Sequence, residues 1–209
     1  DAATGQVLGE EALPASPSRM RAEVLEPNAT TLRRKLMLLK ARALGEHALI
    51  YGHTGTGKSA TPPDLLTNDL RLEPYQMQFQ ATTTVGALWG SQAMRDGTTV
   101  WEKSPLLLAM EQGKPIVLDD IGKPKHQAVI SVINNILQFG EITTPYGIVR
   151  AQPGFFVIAT TTLEESRYAV HDLSGEVEDR FSLQDYDWIT SDEERVVLEA
   201  RHPQVDRGL

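Results

Sequence analysis

Eight residues constrain this chain more than any other stretch. Gly52-His53-Thr54-Gly55-Thr56-Gly57-Lys58-Ser59 fits the pattern G-x-x-x-x-G-K-[ST]. The pattern has meaning only between a strand and a helix, and His47-Ala48-Leu49-Ile50-Tyr51 reads as a short buried strand entering it. Glycines let the backbone curl so that successive N–H groups point at one anion. A helix starting there adds the positive end of its dipole. Lys58 is placed to reach the β- and γ-phosphates of a nucleotide, and the Ser59 hydroxyl to hold Mg²⁺. The alternative is a glycine-rich turn with a chance Lys-Ser. Ordinary residue frequencies put four such positions together in about one chain of this length in a hundred.

A second stretch completes the chemistry. Pro115-Ile116-Val117-Leu118-Asp119-Asp120 is an apolar strand ending in two carboxylates. In P-loop NTPases an acid at that point orders Mg²⁺ together with the loop hydroxyl, and its neighbour can polarise the attacking water. Asp119 is the candidate metal residue and Asp120 the candidate catalytic one. A strand that simply ends in polar residues is the competing reading.

Between and around these motifs the pattern alternates helix and strand. Asn28 is a candidate cap for a helix with Leu32, Leu36, Leu39 and Ala43 on one face, its basic residues solvated. Pro62-Pro63 come too soon after the loop for an unbroken helix, so a distorted or restarted one is expected, with Asp64 as its cap. Tyr75–Gln80 alternates as a strand. A helical piece is expected over 85–94, then a turn at Arg95-Asp96-Gly97, a strand over 98–101, and a helix opened by Ser104-Pro105. Residues 124–137 carry a helical apolar stripe. Pro145-Tyr146-Gly147 marks a hairpin, Phe155–Thr161 a buried strand, Leu173–Glu178 a short helical piece, and Leu183–Trp188 a last strand. A final helix is capped around Ser191–Glu194. Residues 1–28 read as a poorly ordered arm, 29–190 as one α/β ATPase core, and 191–209 as the start of a C-terminal lid helix.

Composition narrows the class. The 209 residues suit one α/β domain, and 41% apolar residues are enough for a packed core. There is no cysteine, which excludes disulfides and thiolate metal sites and suits a cytoplasmic location. The formal charge of −8 argues against a broad nucleic-acid surface, and no apolar run has membrane-spanning length.

Taken together the motifs resemble the AAA+ ATPases, and within them the MoxR and CbbQ/NorQ branch related to midasin and dynein. The resemblance rests on the loop, on Trp101–Met110, on Ile116–Ile121, on Ile158-Ala159-Thr160-Thr161-Thr162, and on Leu173-Ser174 followed by Asp179-Arg180-Phe181. It implies a five-stranded parallel sheet sandwiched by helices, with β-hairpin inserts, most of the lid absent, and ATP at the strand tips. It also implies a homo-oligomeric ring, usually a hexamer, that acts on a client protein, in this branch often a metalloenzyme. By position, Thr162 stands where the family has an Asn that senses the γ-phosphate. Arg180 matches the family's arginine finger; the competing reading is a salt bridge to Asp179 or Glu176. Asp120 stands for a Glu and is one methylene shorter. Two functions follow: Mg²⁺-dependent ATP hydrolysis that remodels a partner, or a nucleotide-gated scaffold with weak hydrolysis or none.

Overall fold

Three short apolar runs covered on both faces form the middle of the sheet, and two strands of alternating burial form its edges. In the computed structural model, which describes residues 22–162 and 179–202, the strands are β1 (His47–Gly52), β2 (Tyr75–Gln78), β5 (Pro115–Asp119), β8 (Phe156–Thr162) and β9 (Phe181–Tyr186). They are all parallel, in the order β2-β5-β8-β1-β9. Side chains alternate between two cores with period two. Ala48, Ile50, Val117, Ile158 and Tyr186 face one way, onto Leu38 and Ala41 of helix α1 (Ala29–Ala43) and onto Leu65 and Leu66. Leu49, Ile116, Leu118, Val157 and Ala159 face the other way. There they meet helices α3 (Val85–Trp89), α4 (Pro105–Gln112) and α5 (Gln127–Phe139). Burial on both faces is why the three inner strands, β5, β8 and β1, read as apolar runs, while the edge strands β2 and β9 alternate.

Two antiparallel hairpins stand outside the sheet, β3–β4 (Gly90–Arg95 with Thr98–Lys103) and β6–β7 (Glu141–Thr144 with Gly147–Arg150). The first corrects the expected helix over 85–94, which stops at Trp89. Gly90 has φ +146 with its backbone against Glu102, and Asp96-Gly97 takes left-handed angles (φ 49 and 77) in a two-residue turn. That turn closes a hairpin and pulls 90–95 into a strand. The other expectations in this region hold: Ser104 caps α4, Pro105 is its first residue, and Gly113 ends it in a left-handed conformation.

The segment after the loop is distorted, as the two prolines require. Helix α2 (Thr61–Pro63) runs straight into a π-helical turn, Asp64–Asp69. Asp64 does not cap it. Its buried carboxylate pairs with Lys35 at 2.5 Å and accepts from Asn68 at 2.7 Å. Lys35 also pairs with Asp69 at 2.7 Å. Burial lowers the Lys35 pKa, but the bonds to Asp64 and Asp69 outweigh it and the net shift is upward.

Helix α1 also turns a different face inward. Asn28 caps it, but the buried residues are Thr31, Arg34, Leu38 and Ala41, while Leu32 and Leu36 are exposed. Helix α6 (Ser191–Arg201) begins with a capping box built by Thr190, not Ser191, with Glu193. The Glu193 carboxylate also accepts from the backbone N–H and the hydroxyl of Thr30. These bonds, the Thr30 N–H first, hold its pKa below the usual range. The start of α6 is thereby tied to the start of α1. Residues 1–21 and the piece at 173–178 lie outside the described residues.

One partly buried histidine gives the fold an acid limit. His47 sits among Phe155 and Phe156 and accepts the Val157 backbone N–H at its Nδ1 (3.1 Å). Burial lowers its pKa from the usual 6.5 to about 4. Above pH 6.5 the ring is neutral folded or unfolded. Between pH 6.5 and 4 the unfolded chain binds a proton that the folded chain excludes, so stability falls by up to roughly 3 kcal/mol. Melting temperatures at pH 7.5 and 4.5 should therefore drop more in the wild type than in His47→Gln. An equal drop would remove His47 from the acid response.

Candidate functional site

Ligands of open parallel sheets bind beyond the carboxyl ends of the strands, where the chain order reverses. Here β1 is that strand: it lies between β8 and β9, and the chain leaves its tip through the loop. Gly52, Gly55 and Gly57 all have positive φ (156, 87 and 88). Lys58 is buried, and its ammonium donates to the carbonyls of Gly52 (2.8 Å) and His53 (2.6 Å). The Thr56 hydroxyl donates to the His53 carbonyl at 2.9 Å and the Thr61 hydroxyl to the Gly57 carbonyl at 3.0 Å. Thr54 and Ser59 are exposed. His53, an unspecified loop position in the sequence, lies near-parallel to Trp188, with 10° between the rings and 6.4 Å between their centres.

The acidic end is held by residues that sequence reasoning missed. Asp119 is buried at the tip of β5. Its Oδ1 accepts the Thr160 hydroxyl at 2.8 Å and its Oδ2 the Gln76 amide at 2.5 Å. Each carboxylate oxygen has two lone pairs, so both keep capacity for a further donor. The Thr160 hydroxyl also accepts the backbone N–H of Asp120 at 3.2 Å. Thr160 pairs with Ile50 and Thr162 with Gly52 across β8 and β1. Thr162 therefore flanks the first loop residue, and Thr160 lies two residues, about 7 Å, short of it. A threonine run ending a buried strand level with the carboxylates was the available signal.

Asp120 takes a left-handed conformation (φ 58), and its carboxylate pairs with Lys123 at 2.7 Å. That engagement was not legible in the spacing. Arg180 lies elsewhere, at the opposite end of β9, where its guanidinium donates to Asn134 and to Gln138 (2.8 Å) of α5. Glu176 lies outside the described residues.

A cavity of about 280 Å³ opens beside the loop, reaching from Gly55, Thr56 and Gly57 to Trp188 and Ile189, with Glu23, Leu25 and Glu26 along it. Two cations, Lys58 and Arg34, border the loop, and Arg34 belongs to the basic run that reads in sequence as a solvated face. Burial lowers the Arg34 pKa from its usual value.

Residues 47–181 match the AAA domain of the dynein-related subfamily. The chain belongs to that family. It is also 27% identical over 160 residues to the mouse von Willebrand factor A domain-containing protein 8, covering 69% of this chain and 8% of that protein. An uncharacterised Staphylococcus aureus protein is 25% identical over 157 residues, 71% of this chain and 58% of its own length. The chain thus spans a small part of the first and little more than half of the second. A solved structure from Cytophaga hutchinsonii, of a protein assigned as an ATPase, has the same fold (TM-score 0.57, 16% identity). The match covers 85% of this chain and 58% of that one. This AAA domain therefore carries the nucleotide-binding fold of its family on the residues described above. Among the described residues no helix is long and apolar enough to cross a membrane.

The donor set fits ATP with Mg²⁺: inward-curled glycines, a buried ammonium over the loop, an exposed Ser59 hydroxyl, and the oriented Asp119 carboxylate. Mg²⁺ keeps several of its waters, so Asp119 can serve through one of them.

Proposed function

We propose that this AAA domain binds ATP with Mg²⁺ and hydrolyses it as one subunit of a homo-oligomeric ring that remodels or activates a client protein, in the manner of the MoxR and CbbQ/NorQ branch. The observation that carries the reading is the Asp119–Thr160–Gln76 network set beside the Gly52–Ser59 loop. In it, Lys58 neutralises the β- and γ-phosphates, and Ser59 and Asp119 hold the metal. The metal supplies charge neutralisation on the phosphates. Asp120 orients the attacking water, and Thr162 lies beside the loop to hydrogen-bond the γ-phosphate or that water. The test is steady-state ATP turnover with Mg²⁺ over a wide range of protein concentration. Turnover is expected to rise with concentration and to fall to background in Lys58→Ala. Equal turnover in the two proteins would sink the proposal.

The pairing of Asp120 with Lys123 favours a second reading, a nucleotide-gated scaffold with slow hydrolysis. A carboxylate one methylene short and held by an ammonium is poorly placed to reach the attacking water. If turnover is limited by this reach, Asp120→Glu should speed it about tenfold, a drop of ~1.4 kcal/mol in the barrier. No change in that variant, with ATP still bound, favours the scaffold.

A further inference from the structure

Arg34 lies in the middle of α1 with 7% of its surface exposed, a rare position for a guanidinium unless its donors are satisfied. Two backbone carbonyls share it. Nη1 donates to Thr56 of the phosphate loop at 2.9 Å, and Nη2 donates to Asp187, in the connector between β9 and α6. The planar group lies over the Tyr186 ring, 4.4 Å from its centre. One rigid fork therefore fixes the connector against the loop. The next residue, Trp188, lies over Gly55: a Cβ added there would meet the indole at 3.5 Å. Arg34, Gly55, Thr56 and Trp188 all line the 280 Å³ cavity.

We propose that Arg34 is a positioning residue for the nucleotide base: by tying Thr56 to Asp187 it holds Trp188 in place as the wall against which the purine lies. The proposal rests on the reading of this cavity as the ATP site. Trp188, 60% exposed, offers a flat face for stacking. Lysine has the charge of Arg34 but a single ammonium in place of the fork, so it cannot hold both carbonyls in the same geometry.

The test titrates wild type, Arg34→Lys, Arg34→Met and Trp188→Leu with ATP and Mg²⁺, and separately with inorganic tripolyphosphate, which has no base. Calorimetry reads affinity and tryptophan emission reads the wall. ATP should change the emission of the wild type and not of Trp188→Leu. Its affinity should fall about tenfold in Arg34→Lys and in Trp188→Leu, the size of one lost charge-assisted or stacking contact. Tripolyphosphate should bind all folded variants like the wild type. Unchanged ATP affinity in both Arg34→Lys and Trp188→Leu overturns the proposal. So does an equal loss of tripolyphosphate in Arg34→Lys, which would make Arg34 a brace for the loop alone. If Arg34→Met does not fold, Arg34→Lys and the exposed Trp188→Leu still decide. A wild type that binds tripolyphosphate but shows no preference for ATP overturns the base wall while sparing the phosphate site. One that binds neither overturns the nucleotide reading and this proposal with it.

Discussion

Arg180→Ala should lower ATP turnover by about a thousandfold or more while leaving ATP affinity intact. The argument is one of position. Phe181 pairs with His47 at the start of β1, and Tyr186 pairs with Gly52 at its end. Arg180 thus lies about 17 Å of strand, from 181 to 186, away from the loop of its own chain. No rotamer brings its guanidinium to a phosphate held there. Its side chain instead leans on α5, at Asn134 and Gln138. A guanidinium so placed can stabilise a transferring phosphoryl group only in a second copy. That makes a mixing experiment decisive. Arg180→Ala keeps an intact loop, and Lys58→Ala keeps an intact Arg180. Each alone should be inactive, and a mixture should recover turnover at the interfaces where a good loop meets a good arginine. Full activity of Arg180→Ala alone, or no recovery on mixing with assembly intact, would show that Arg180 does not act across subunits.

The sheet was legible in the sequence because burial on both faces leaves an unmistakable mark, as in Ile116-Val117-Leu118 and Phe156-Val157-Ile158-Ala159. The loop was legible because its chemistry fixes residue types at fixed spacing. Helix α1 shows where that kind of reading stops. Its best apolar stripe, through Leu32 and Leu36, faces out. The inward face is chosen by polar partners far off in the chain, Thr56 and Asp187 for Arg34, and Asp64 and Asp69 for Lys35. No periodicity contains that information. The hairpin at 90–103 was half legible. The Asp96-Gly97 turn and its second strand could be read, but residues 85–94 looked helical until Gly90 and the pairing with Thr98–Lys103 divided them. The site followed the same division. Lys58, Asp119 and Thr162 came from motifs, whereas Gln76, Thr160 and Lys123 matter through contacts between elements that only the folded chain brings together.

Gly52→Ala should destabilise the domain by more than about 3 kcal/mol and abolish ATP binding. Two separate demands meet at this residue. Its φ of +156 disfavours any Cβ, and a Cβ built there would lie 2.2 Å from the Tyr186 carbonyl oxygen and 3.0 Å from its carbon. Those atoms are backbone, so no rotamer change relieves the clash. Gly52 is also pinned on both sides, to Thr162 of β8 and Tyr186 of β9. Relief must come from parting β1 from β9 at the point where the loop begins. That would move the Lys58 anchor on the Gly52 carbonyl and the Asp187 carbonyl that Arg34 holds. Gly97→Ala separates the two demands. Its φ is +77, but a Cβ there meets nothing within 4 Å, so it should cost only the ~1–2 kcal/mol of left-handed strain. Chemical denaturation of both variants reads the difference directly. If Gly52→Ala is no less stable than Gly97→Ala, the close approach of β9 to the loop is not what demands glycine, and phosphate binding alone remains as its reason.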